Sequence, residues 1–132
     1  MAFVLDASVT ACWANEDEND SRADIAFGLL GPQEALVPAL WWFEVRNMLV
    51  VNERRQRLTL AQSAQFLALL TKLPIVVDSL PDEDEVLRLA RTYRLTVYDS
   101  AYLELALRRN ADLATLDGDL AKAARTEGVA IV

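Results

Sequence analysis

Histidine is absent from the 132 residues, and cysteine occurs once, as Cys12. Without histidine, Ser-His-Asp and Cys-His catalysis, an imidazole general base and histidine-ligated zinc are all excluded. A lone cysteine forms no internal disulfide and no thiolate zinc cluster; Cys12 is expected to pack as a small apolar group in the first helix. No apolar run approaches the length of a membrane span, and no basic region precedes the short apolar stretch at the N-terminus. A cytoplasmic protein with no membrane association is therefore expected. Repeats, low-complexity segments and linkers are also missing, so residues 1–132 are expected to form a single domain. That length supports a real hydrophobic core, and a hydrophobic fraction of 53% argues against disorder.

What the chain does have is carboxylate, placed where apolar runs end. Asp6 closes Ala2-Phe3-Val4-Leu5, Asp99 closes Leu95-Thr96-Val97-Tyr98, and Asp117 closes Leu113-Ala114-Thr115-Leu116. Glu44 follows Leu40-Trp41-Trp42-Phe43. Carboxylates beside apolar segments are costly unless a cation meets them, so the four point to one pocket built for a divalent metal. With no imidazole or thiolate partners, the donors are all oxygen, which suits a hard ion, Mg²⁺ or Mn²⁺. The formal net charge of −7 does not by itself exclude a nucleic-acid partner, because much of the acid is local, in Glu16-Asp17-Glu18 with Asp20 and in Asp82-Glu83-Asp84-Glu85.

Strand and helix patterns alternate. Strands are expected at Phe3–Leu5, Ala35–Val37, Ile75–Val77, Leu95–Tyr98, Leu113–Leu116 and Val129–Val132. Helices are expected at Ala7–Ala14, at Arg22–Leu30 after a Ser21 cap, and at Ala39–Arg57 with Trp42, Val45, Met48 and Leu49 on one face. Further helices are expected at Leu60–Leu73 after Thr59, from Pro81 onward with Asp82–Glu85 in the first turn, at Ser100–Asn110 and at Leu120–Thr126. Continuous apolar strands between helices imply an α/β/α sandwich with a mostly parallel sheet covered on both faces. In such sheets ligands bind beyond the carboxyl ends of the strands, where Asp6, Asp99 and Asp117 would lie.

Each carboxylate has a plainer alternative. Asp6 and Asp99 are also good helix N-caps, as are their neighbours Ser8 and Ser100. Glu44 is alternatively a solvated helix residue, though large apolar groups flank it and Asn47, one turn on, is placed to orient it. Of Asp117 and Asp119, the latter is the better cap for the last helix, which leaves Asp117 for the pocket and Asp119 as a further ligand at its rim. Tyr102 reads as core or groove lining. The arginines at helix ends, Arg54, Arg55, Arg57, Arg108 and Arg109, satisfy the helix dipole; Arg88, Arg91 and Arg94 form a solvated stripe. Either set is alternatively a phosphate-holding rim. The acidic segment Asn15–Asp20 is expected near the pocket mouth, where it would oppose non-specific RNA binding.

A strand ending in Asp6-Ala7-Ser8, a helix opening with Glu44 and carrying Asn47, then Tyr98-Asp99-Ser100-Ala101-Tyr102, then Thr115-Leu116-Asp117, resemble the PIN-domain ribonucleases, and within them the VapC toxins of toxin–antitoxin pairs. The resemblance covers the chain from Val4 to the final strand. It implies a PIN-like sandwich in which Asp6, Glu44, Asp99 and Asp117 are the acidic quartet holding Mg²⁺ or Mn²⁺, Thr115 is the hydroxyl residue supporting the last Asp, and Ser8 and Asn47 assist. It also implies metal-dependent RNA cleavage, a homodimer, and a cognate antitoxin whose C-terminal segment enters the groove. The acidic Asn15–Asp20 segment and the Trp41-Trp42 pair depart from the family. Two other readings remain: a catalytically inactive PIN-like domain that binds RNA or protein, and another Mg²⁺ phosphotransfer domain. A phosphoacceptor receiver would carry a second acid beside Asp6 and a strand-end Lys, whereas Ala7 follows Asp6 and Lys72 and Lys122 fall in helices.

Overall fold

The computed structural model describes residues 1–15 and 17–132, so Glu16 of the acidic segment lies outside the described residues. Among them the order is β1 (Ala2–Leu5), α1 (Ala7–Ala14), α2 (Ser21–Leu29), β2 (Glu34–Pro38), α3 (Ala39–Arg54), α4 (Leu60–Thr71), β3 (Ile75–Asp78), α5 (Glu83–Tyr93), α6 (Val97–Arg109), β4 (Asp112–Ala114) and α7 (Gly118–Thr126). The sheet runs β3-β2-β1-β4, and every pairing is parallel. A parallel sheet needs both faces covered, and α6 packs on β1 and β2 while α3 packs on β2 and α2 on β4. The result is the expected α/β/α sandwich. Its centre is filled by Phe3, Val4 and Leu5 of β1, Ala35, Leu36 and Val37 of β2, and Leu103 and Leu105 of α6.

Strand order decides where a ligand fits. From β1 the chain steps outward through β2 to β3, then returns to place β4 on the other side of β1. The reversal opens a crevice beyond the carboxyl ends of β1 and β4, the usual ligand position in open α/β sheets.

Several boundaries differ from the sequence reading. Leu95–Tyr98 is not a strand: Thr96 Oγ1 accepts a hydrogen bond from the Asp99 amide at 3.0 Å, and α6 starts at Val97. The β-branched residues suggest a strand, but a Thr with an acid three residues later is also a helix-start pattern, and here capping wins. β4 ends at Ala114, and the closing strand shrinks to one bridge between Leu113 and Ile131. Helix α3 stops at Arg54, two residues before Gln56 adopts a left-handed φ of 60°. Its inward face carries Trp41, Val45 and Leu49, with Trp42 turned outward, and the Trp41 indole N–H donates to Thr10 Oγ1 at 3.0 Å. Asp20, not Ser21, caps α2, and Asp82 caps α5, so Pro81 precedes that helix. Thr59 closes a full capping box with Gln62 at the start of α4.

Candidate active site

Asp6 follows β1 directly and occupies the N-cap position of α1, yet its carboxylate makes no capping hydrogen bond. It turns into the crevice instead. Ser8 Oγ and Thr115 Oγ1 each donate to Asp6 Oδ2 at 2.7 Å. Both hydroxyls are fixed in turn: Ser8 Oγ accepts from the Leu116 amide at 3.0 Å, and Thr115 Oγ1 accepts from the Asp117 amide at 3.0 Å. One carboxylate oxygen thereby ties the end of β1 to the segment after β4. Asp6 is only 5% exposed, and burial pushes its pKa up, with the two hydroxyls pulling the other way.

Three further acids come from three helices. Asp99 lies in the first turn of α6 rather than at a strand end. Burial raises its pKa, and the charges of Asp117, Asp6 and Asp119 raise it further. Glu44, in the second turn of α3, is half-buried; burial raises its pKa, as do the charges of Asp6 and Asp99. The buried Tyr102 Oη donates to Glu44 Oε1 at 2.6 Å and opposes that shift. Asp117, not Asp119, is the N-cap of α7: its Oδ1 accepts from the Leu120 amide at 3.0 Å. A cap at Asp117 starts α7 at Gly118, two residues earlier than the sequence suggested, and puts Asp119 inside the first turn, exposed.

Asp6, Glu44, Asp99, Asp117 and Asp119 therefore share one electrostatic field. Ser8 and Thr115 both serve Asp6. Asn47 does not reach Glu44; it is exposed, and Tyr102 has the orienting position instead. That role of Tyr102 was missed, and the signal that could have shown it is its i,i+3 spacing from Asp99, which puts both on one face of α6.

Three of the helix arginines are engaged away from the crevice. Arg108 pairs with Glu104 and Asp78, Arg109 with Asp78, and Arg88 with Glu85 and Glu127. Arg88 is exposed, as expected of a solvated stripe, and is held there by two ion pairs. In the acidic segment, Glu18 lies 3.6 Å from Arg57 beyond the end of α3, and Asn15 packs against Met48. None of the five crevice acids forms an ion pair with Lys or Arg among the described residues.

A divalent cation fits this donor set in chemistry and charge: the groups are all oxygen, they repel one another, and no protein cation answers them. No group of three or more carboxylates among the described residues is already arranged as a metal cage. Like charges without a counter-ion stand apart, so closure around an ion would require side-chain movement.

A parallel α/β sandwich with acids gathered at its switch point defines a class of domain that binds ligands at the carboxyl edge of its sheet. The chain belongs to the PIN domain family, which it matches over residues 3–126. Among solved structures, PAE2754 from Pyrobaculum aerophilum is 26% identical with a TM-score of 0.75, over 100% of this chain and 84% of that one. VapBC2 from Rickettsia felis, crystallised with a DNA fragment from its promoter, has a TM-score of 0.66 at 12% identity, over 100% of this chain and 98% of that one. VapC20 from Mycobacterium tuberculosis, described as a sarcin-ricin loop cleaving toxin, has a TM-score of 0.62 at 14% identity, over 92% and 94% of the two chains. The last two share the fold. No curated protein matches this sequence.

Proposed function

We propose that this PIN domain is a Mg²⁺- or Mn²⁺-dependent ribonuclease, the toxin of a toxin–antitoxin pair. In this reading residues 1–132 act as one domain in the cytoplasm, as a homodimer, and a cognate antitoxin restrains them. The observation that carries the nuclease reading is the crevice itself: carboxylates from the end of β1, α3, α6 and the β4–α7 junction perturb one another, and none of them meets Lys or Arg in an ion pair among the described residues. Support for the toxin assignment comes from the fold shared with VapC20, with VapBC2 and with a toxin–antitoxin complex from Klebsiella pneumoniae, which has a TM-score of 0.64 at 16% identity over 90% of each chain. No helix among the described residues is long and apolar enough to cross a membrane.

Asp6, Asp99 and Asp117 would hold the ion, directly or through water, with Asp119 at the rim. When bound, a divalent cation supplies Lewis acidity toward water and phosphate. Asp6 can serve only through Oδ1 without giving up its hydroxyl partners, because Ser8 and Thr115 both donate to Oδ2. Asp117 likewise keeps Oδ2 for the crevice, since Oδ1 caps α7. Glu44 joins them as a ligand or orients the attacking water. Thr115 Oγ1 donates to Asp6 and accepts from the Asp117 amide, so one buried side-chain hydroxyl sets the Asp6 carboxylate relative to the backbone at Asp117.

The test is cleavage of RNA with Mg²⁺ or Mn²⁺ by the wild type, Asp6→Asn and Asp99→Asn. Cleavage confined to the wild type with metal supports the reading. Wild type and variants behaving alike would sink it and favour a domain that binds RNA or protein without cutting.

A further inference from the structure

One strong polar contact of the crevice is made by a residue that is not an acid. Tyr102 is among the largest fully buried side chains, at 0% exposure. Packing alone would be served equally by phenylalanine. The hydroxyl must find a partner, and it finds one 58 residues away in sequence, joining α6 to α3 through Glu44 Oε1 at 2.6 Å. Glu44 needs such a partner. Its side chain has rotamer freedom to swing into water, and the charges of Asp6 and Asp99 push it that way. Asn47, the residue placed on α3 to hold it, is exposed.

We propose that Tyr102 is a positioning residue for the metal site: its hydroxyl clamps Glu44 Oε1 and thereby keeps Oε2 directed at the carboxylate crevice. This rests on the metal-site reading above. The clamp acts from the same helix turn that presents Asp99, since Asp99 and Tyr102 are three residues apart on α6. One turn of helix thus supplies one acid of the crevice and sets the orientation of another. The phenol donates this bond and the carboxylate accepts it. Partners that orient metal ligands in this way typically govern affinity for the ion.

Mn²⁺ binding to the metal-free protein, measured by calorimetry, tests the proposal with the wild type, Tyr102→Phe, Glu44→Gln and the double variant. Tyr102→Phe is expected to weaken Mn²⁺ binding about 10–100-fold. In the Glu44→Gln background the same change is expected to do nothing further, which a general loosening of the core would not reproduce. Glu44→Asp gives a second route: the acid stays but the shortened side chain falls out of reach of Tyr102, and a loss similar to that of Tyr102→Phe is expected. Tyr102→Phe or Glu44→Asp binding as tightly as the wild type overturns the clamp, as does equal weakening by Tyr102→Phe in both backgrounds. A wild type with no saturable Mn²⁺ binding overturns the metal-site reading and the clamp with it.

Discussion

The carboxylates of this molecule live under two opposite regimes. At the far end of α6, Asp78 accepts from Arg108 at 3.1 Å and from Arg109 at 2.9 Å, and these bonds, Arg108's first, hold its pKa below the ordinary value. Glu127, bonded by Arg88 and by the Tyr93 hydroxyl, is lowered in the same way. At the near end of α6 the acids meet only hydroxyls, amides and one another, and Asp6, Glu44 and Asp99 are all raised. Arg88, Arg108 and Arg109 pair with acids outside the crevice. The unpaired state of the crevice acids is thus a feature of the site, and in the proposed reading it costs stability that a bound cation would restore.

Ways to break this contrast run from large to small effects. Asp6→Asn or Asp99→Asn should reduce metal-dependent RNA cleavage by more than the roughly 100-fold that losing an outer-shell partner costs, as measured by initial rates on a fluorescent RNA. Second, Asp78→Asn should destabilise the protein by about 1–2 kcal/mol in denaturant unfolding, discounted from a buried pair because Arg108 and Arg109 are partly solvated. Mn²⁺ should leave that loss unchanged.

The third prediction concerns pH and has opposite signs in the two regions. For the metal-free protein, the raised acids contribute stability that is present below their unfolded values of 3.8 to 4.5 and is lost as pH rises through their higher folded values. Asp78 and Glu127 are lowered, so their contribution is present at neutral pH and is lost as pH falls through the acid range. Near about pH 7, Asp6→Asn should therefore melt a few degrees above the wild type, and the gap should close as pH falls toward about 4. Asp78→Asn should melt lower than the wild type, and its gap should close only at more acid pH. Smallest of all, Arg88→Ala should cost well under about 1 kcal/mol, because that pair is exposed.

Much of this architecture is legible in the residues. β1 and β2 are continuous apolar runs because both faces of a parallel sheet are covered, and the pattern needs no tertiary information. Leu95–Tyr98 misleads because an apolar β-branched run and a Thr-capped helix start look alike until the hydrogen bond from the Asp99 amide to Thr96 decides between them. The exchange of roles between Asp117 and Asp119 has a similar origin: either can cap, and the choice depends on where Thr115 fixes the chain after β4. Asp6, Glu44 and Asp99 were visible as acids at the ends of apolar segments. The Tyr102 clamp was legible only by half: its i,i+3 spacing puts it on the face of α6 that carries Asp99, but its partner lies on a different helix and only packing brings the two together.

The central claim is that the crevice acids are unpaired in order to take a divalent cation. Thermal unfolding of the metal-free protein during a Mn²⁺ titration tests it most directly. Stabilisation that rises with the logarithm of free Mn²⁺ is predicted for the wild type, about 2.7 kcal/mol when free Mn²⁺ is a hundred times its Kd, and none for Asp6→Asn. A wild type whose unfolding is indifferent to Mn²⁺, or an Asp6→Asn variant stabilised equally, would contradict it.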